Sequence, residues 1–380
     1  MKILIAPDSF KGNMRASEVC SAIAEGILRA DSKAEIYRLP LADGGEGTAR
    51  ALTEAAGGRF VKVPVTGPLG EAVEAEFGLI HGDRTAVLDM ASASGIELVS
   101  RERLNPLKAT SYGTGELIKA ALDAGVQEIV LGIGGSATVD GGIGMLTALG
   151  FRITDESGAP VGQGGEALGR IAAVDVRGAE SRLREVSVKV ACDVTNPLLG
   201  PLGAAAVFGP QKGATPAMVE ILDRGLGRLA DALIRAGFAS DVEQAGDGAA
   251  GGVGAAARIC LGARMESGAL LVMEHAGFFD KLRGADLVIT GEGMTDGQTL
   301  GGKLCSVVAR ESRRRGVPVA LLSGALGGDV APLLETFDYA VSIACGQPGL
   351  DAMIRSSRRD LAFAAENLVR ALRIGGRKKE

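Results

Sequence analysis

Seven carboxylates and three lysines stand in short glycine-rich or polar stretches that follow apolar runs. Asp8 and Lys11 lie in residues 7–12, Asp43 and Glu46 in 42–48, Asp140 in 132–144, and Asp193 in 192–197. Lys212 lies in 208–213, Glu292 and Asp296 in 291–296, and Lys303 just beyond. Carboxylate oxygens suit Mg2+, ammonium groups suit phosphate oxygens, and N–H groups bared by glycine suit anions. Together they are the components of phosphoryl transfer. The same residue types also form turns and cap helices, so about half of these carboxylates are expected to be structural.

The densest stretch is Gly132-Ile133-Gly134-Gly135-Ser136-Ala137-Thr138-Val139-Asp140-Gly141-Gly142-Ile143-Gly144. It follows an apolar run at 128–131 and precedes another at 145–150, which reads as strand, loop, helix. Glycine lets the backbone approach a ligand, and a helix N-terminus adds partial positive charge, so the loop suits phosphate or carboxylate. The plain alternative is a tight strand-to-helix turn.

Two nucleotide motifs are nearly matched. Gly132-x-Gly134-x-x-Ala137, with a strand and acid at 151–155, fits a dinucleotide fingerprint and raises a nicotinamide-dependent dehydrogenase. Against it, Asp140 and three glycines occupy positions where the phosphate-binding helix should already be wound. Gly297-x-x-x-x-Gly302-Lys303 fits a P-loop except that Leu304 replaces the metal-binding hydroxyl. There is no Gly-x-Ser-x-Gly, and His81 and His275 are the only histidines, expected in a hairpin turn and on a helix. Histidine-based nucleophilic chemistry is disfavoured.

The elements that position these residues follow from periodicity. Residues 2–6 and 35–39 read as strands, each followed by a helix, which opens a parallel sheet with ligands at the strand C-termini. Alternating apolar residues at 61–65, 73–79 and 85–90 read as an antiparallel meander, so a boundary falls near residue 59. A helix is expected at 113–124, a strand at 186–191, and an amphipathic helix at 216–236. Strands at 285–290, 317–322 and 339–344 restore parallel-sheet texture, and a long amphipathic helix closes the chain. The simplest topology is α/β, with residues 1–59 and 285–380 forming one discontinuous domain and 60–284 a second, inserted domain. The cleft between them is the expected site.

Composition narrows the class. The 380 residues suit two domains, and 46% hydrophobic residues with only 3% aromatics imply a core of Ala, Val, Leu and Ile. A net charge of −5 with interspersed signs argues against nucleic-acid or membrane surfaces. Five scattered cysteines without a CxxC point to reduced thiols, not a disulfide framework or zinc site. A strand beginning at residue 2 leaves no room for a signal peptide, and no run of 18 apolar residues exists. A soluble cytoplasmic protein is expected.

Residues 7–12, 42–48, 134–142, 191–200, 208–214, 248–256 and 289–299 resemble the bacterial class I glycerate kinases, in order and over the whole chain. The resemblance implies a discontinuous Rossmann/flavodoxin-like parallel-sheet domain with a second α/β domain inserted. It also implies ATP-dependent phosphorylation of D-glycerate at the 2-hydroxyl, with the 3-hydroxyl as alternative. Val139 stands where the family usually has Asn, and Asp89 where Glu is common.

On this reading ATP and Mg2+ are the implied cofactors and D-glycerate the small-molecule partner, with a monomer or homodimer expected. Asp193 is the candidate base or orienter, and Lys11 and Lys212 meet the substrate carboxylate and transferring phosphate. Ser9, Gly134, Gly135, Ser136, Thr138, Asn196 and Lys303 are candidate substrate or phosphate contacts. Asp8, Glu292 and Asp296 are candidate Mg2+ ligands. A dehydrogenase using the Gly132-Gly134-Ala137 loop and a non-catalytic anion-binding protein are the competing readings.

Overall fold

The computed structural model describes residues 1–42, 47–238, 241–300, 303–346 and 349–376. Asp43, Glu46 and Gly302 lie outside the described residues. The chain divides into two compact units, one formed by Met1–Asp43, Glu54–Ala56 and Ala269–Glu380, the other by Gly44–Thr53 and Gly57–Gly268.

The first unit is built on a five-stranded parallel sheet. Its strands lie in the order Tyr339–Ser342, Val319–Ser323, Leu287–Thr290, Lys2–Ile5, Glu35–Arg38. Numbered along the chain, that order reads 5-4-3-1-2, so three C-terminal strands complete the sheet that two N-terminal strands begin. Ile3 is in register with Leu287 on one side and Ile36 on the other. Leu287–Thr290 and Val319–Ser323 are buried throughout, as expected of central parallel strands covered by helices. The helices Ala16–Ala30 and Leu350–Gly376 pack together and share a core with the sheet that includes Ile3, Ile23, Ile27, Leu361 and Val369. Gly26 permits this approach, because a Cβ there would lie 2.0 Å from the carbonyl oxygen of Ala362.

The second unit holds a six-stranded mixed sheet ordered Arg264–Glu266, Ser187–Ala191, Glu128–Gly132, Thr85–Asp89, Ala72–Ile80, Arg59–Thr66. The last three strands pair antiparallel as the meander. Thr85–Asp89 then pairs parallel with Glu128–Gly132, so the meander extends the main sheet. Helices Tyr112–Asp123 and Pro216–Arg235 belong to this unit, whose core includes Leu117, Ile129, Leu131, Leu226 and Leu229.

The helix expected after the glycine-rich loop is present as Ile143–Ala148, six residues long. The strand that follows it, Arg152–Thr154, pairs antiparallel with Ala173–Asp175 in a separate ribbon. Its apolar residues satisfy a local pairing instead of extending the main sheet.

Candidate functional sites in the two units

In the first unit the loops after Lys2–Ile5 and Leu287–Thr290 are held side by side, the Asp8 N–H donating to the Gly291 carbonyl at 2.9 Å. They border a cavity of about 450 Å3 whose lining includes Asp8, Ser9, Lys11, Glu292, Asp296 and Lys303. Six of the residues named from the sequence therefore share one site. Asp8 and Glu292 are each only 8% exposed. The Ser9 N–H donates to Asp8 Oδ1 at 2.6 Å. Glu292 Oε1 accepts the hydroxyls of Thr295 (2.9 Å) and Thr299 (2.8 Å). Burial raises the Glu292 pKa; the two hydroxyls and the Lys303 charge oppose that rise, and Asp296 adds to it. Burial pushes the Cys305 thiol well above its usual range, helped by the negative charge of Glu292 and Asp8.

Among the described residues no group of three or more His, Cys, Asp or Glu side chains is placed to hold a metal ion. Asp8, Glu292 and Asp296 thus line one cavity without forming a three-ligand cage. That donor set still suits Mg2+, which typically takes one or two carboxylates and completes its shell with phosphate oxygens and water.

In the second unit the structure brings Lys212, Ser136, Thr138 and Asp140 together. Lys212 is 2% exposed and donates to Ser136 Oγ at 2.7 Å and the Thr138 carbonyl at 2.8 Å. Burial lowers its pKa to about 7, and the Asp140 charge pulls it back up. Asp140 is fully buried and accepts from the Ser111 N–H (2.8 Å), the Ser111 hydroxyl (2.8 Å), the Gly142 N–H (3.0 Å) and the Gly144 N–H (3.4 Å). Burial raises its pKa and these four donors oppose the rise.

This arrangement revises the expected anion cradle. The N–H of Gly141 meets the Gly251 carbonyl at 2.9 Å, that of Ile143 the Asp140 carbonyl, and that of Met145 the Ser111 hydroxyl. From Gly141 to Met145 the donors are spent inside the protein, and the glycines there serve loop packing. A Cβ on Gly251 would lie 2.1 Å from the Thr138 carbonyl. Lys212 is likewise a buried tie between loops, not a cation open to substrate. In the first half of the loop Gly135 is exposed, and Thr138 Oγ1 is buried with no hydrogen-bond partner.

Gly135 also lines a second cavity, of about 440 Å3, with Arg50, Phe60, Asp89, Ser92 and Glu97 among its walls. Both Asp89 carboxylate oxygens accept the Ala49 N–H, at 3.0 and 3.1 Å, and Arg50 pairs with Glu76 and lies 5.1 Å from the Phe60 ring centre. Arg50 was not singled out from sequence, where it is one ordinary helical cation. Asp193 and Asn196 line neither cavity. Asp193 is exposed after strand Ser187–Ala191, and its Oδ1 accepts the Gly268 N–H at the start of helix Gly268–His275. Asn196 shapes its own loop, donating to the Leu202 carbonyl at 2.9 Å and accepting from the Gly248 N–H at 3.0 Å.

The dehydrogenase fingerprint requires a second parallel strand after its helix, and Arg152–Thr154 is not in that sheet. The P-loop match fails too, because strand Met294–Thr295 and helix Gly297–Leu300 intervene before Lys303, which precedes helix Leu304–Arg313.

Residues 3–373 match the Glycerate kinase family. The chain belongs to it. The Glycerate kinase of Bacillus subtilis (strain 168) is 48% identical over 375 residues, covering 98% of each chain. The Glycerate 2-kinase of Escherichia coli (strain K12) is 42% identical over 378 residues, covering 99% of each. A crystal structure from Salmonella typhimurium LT2 is 45% identical, with a TM-score of 0.91 and 99% of each chain covered. Within this glycerate kinase family member, Val139 is fully buried in the core of its unit, so the absent Asn amide there is a change of packing. No helix among the described residues is long and apolar enough to cross a membrane.

Proposed function

We propose that this glycerate kinase family member transfers the γ-phosphoryl group of ATP to the 2-hydroxyl of D-glycerate, releasing ADP and 2-phosphoglycerate. Full-length likeness to a relative named Glycerate 2-kinase, 42% identical over 99% of both chains, carries the reading. The bond formed is O2–P, the bond broken joins the γ-phosphorus to its bridging oxygen, and the hydroxyl proton leaves to a base.

The first unit supplies the electrostatics. Its strand order, 2-1-3-4-5, is that of a flavodoxin-like sheet, here assembled from the two ends of the chain around an inserted α/β unit. Lys11 and Lys303 would meet phosphate oxygens, and Asp8, Glu292 and Asp296 would hold Mg2+; that all five line one cavity supports this assignment. When bound, Mg2+ neutralises charge on the β- and γ-phosphate oxygens. The buried setting of Asp8 and Glu292 strengthens their attraction for a cation.

In the second unit Asp193 accepts the proton of the attacking hydroxyl, and Gly134, Gly135, Ser136 and Thr138 contact the anionic substrate. Lys212 and Asp140 fix the shape of that loop. The position of transfer is tested by phosphorus–proton correlation NMR of the product. Coupling of phosphorus to the C2 proton supports the reading, and coupling to the C3 protons overturns it.

A further inference from the structure

The first unit's cavity has two chemically unlike parts. Its charged part comes from the loops after strands Lys2–Ile5 and Leu287–Thr290, with Asp8, Lys11, Glu292 and Lys303. Its apolar part comes from Ala344, after strand Tyr339–Ser342, and from Leu350, Met353 and Ile354 at the start of the C-terminal helix. These apolar side chains are not core residues: Leu350 is 69% exposed and Ile354 38%. Strands Lys2–Ile5 and Leu287–Thr290 are parallel neighbours at the point where the order 2-1-3-4-5 reverses, which is where doubly wound sheets open a crevice for ligand.

The two substrates of the kinase differ in what they could use here. D-glycerate is a three-carbon polyhydroxy anion with almost no apolar surface, so an apolar wall contributes nothing to holding it. A purine nucleoside triphosphate has a flat, weakly hydrated base at one end and a polyanion at the other. A volume of about 450 Å3 is that of a pocket for a drug-sized molecule.

We infer that this cavity is the adenine-nucleotide site, with the base against the Ala344, Met353 and Ile354 surface and the phosphates at Lys11 and Lys303. The inference rests on the kinase reading and adds the location and orientation of the nucleotide. It assigns the C-terminal helix a binding face, and it leaves recognition of D-glycerate to other residues.

Photolabelling of the full-length protein with 8-azidoadenosine 5′-triphosphate, followed by peptide mass spectrometry, tests the placement. Label within residues 343–357, displaced by ATP and not by D-glycerate, is expected. Label within residues 57–268, or no label that ATP displaces, overturns it. A second measurement uses Met353→Ala, whose half-buried side chain can be shortened without opening the core. The expected result is a KM for ATP and an inhibition constant for adenosine both raised about tenfold, with KM for D-glycerate and inhibition by inorganic tripolyphosphate within about twofold. Equal changes for adenosine and tripolyphosphate, or none, overturn the orientation. Absence of D-glycerate-dependent ADP release in the unsubstituted protein would instead remove the kinase reading, whatever the label shows.

Discussion

Asp140→Asn removes a buried charge while keeping the side chain's shape, and its cost can be worked from four hydrogen bonds. Oδ2 accepts both Ser111 donors at 2.8 Å and the Gly144 N–H at 3.4 Å, while Oδ1 accepts the Gly142 N–H at 3.0 Å. Asparagine has one acceptor oxygen. Placed at the Oδ2 position, it keeps three donors and turns its NH2 against the Gly142 N–H, orphaning one buried donor at ~1–3 kcal/mol. The Lys212 ammonium, 2% exposed, also loses the charge that stabilises it. Leaving a buried charge uncompensated costs up to ~3–5 kcal/mol in all.

Since 1 kcal/mol shifts Tm by roughly 2–4 °C in a domain of this size, a fall on the order of 10 °C is expected by scanning calorimetry. Adding Lys212→Met removes the stranded ammonium, so the double variant should melt well above the temperature given by summing the two single effects. A Tm fall under about 2 °C for Asp140→Asn, or strictly additive singles, would refute the account of this loop as a self-satisfied staple.

Four further outcomes follow from the same geometry. Lys212 has a folded-state pKa of about 7 against an ordinary 10.5, so the unfolded chain binds the extra proton between those values. Stability should therefore rise with pH across that window, and Lys212→Met should flatten the rise in urea titrations. Asp193→Asn keeps an oxygen for the Gly268 N–H, so Tm should hold while kcat falls by ~10²–10⁴ in steady-state assays. Glu292→Gln still accepts the Thr295 and Thr299 hydroxyls; the Mg2+ concentration for half-maximal rate should rise at least roughly tenfold in a metal titration, with folding intact. Gly26→Ala drives a Cβ to within 2.0 Å of the Ala362 carbonyl. The ~1–3 kcal/mol of overpacking should outweigh the ~1 kcal/mol gained in helix propensity, lowering Tm without changing KM at 25 °C.

The elements were largely legible because their signals are local. Strand Glu128–Gly132 is a β-branched apolar run ended by glycine, and helix Pro216–Arg235 opens with Thr215 capping the Met218 N–H. The cavity-lining acids Asp8 and Glu292 were legible for a related reason, since each follows a parallel strand. What escaped sequence reading was partner identity. Residues 132–144 display many polar groups, but nothing in the stretch reveals that Ser111 donates to Asp140 or that the Gly251 carbonyl accepts the Gly141 N–H. Lys212 finds its acceptors 76 and 74 positions away, and Asp193 its donor 75 positions away. Arg152–Thr154 has the same short apolar pattern whether it joins the main sheet or a ribbon, and only tertiary pairing decides.

The most direct test is D-glycerate-dependent ADP release, followed by a coupled assay with ATP and Mg2+ and compared with L-glycerate and no acceptor. Turnover is expected with D-glycerate, background rates with L-glycerate, and loss of turnover on chelating Mg2+. Background ADP release with D-glycerate under saturating ATP and Mg2+ would contradict the kinase reading.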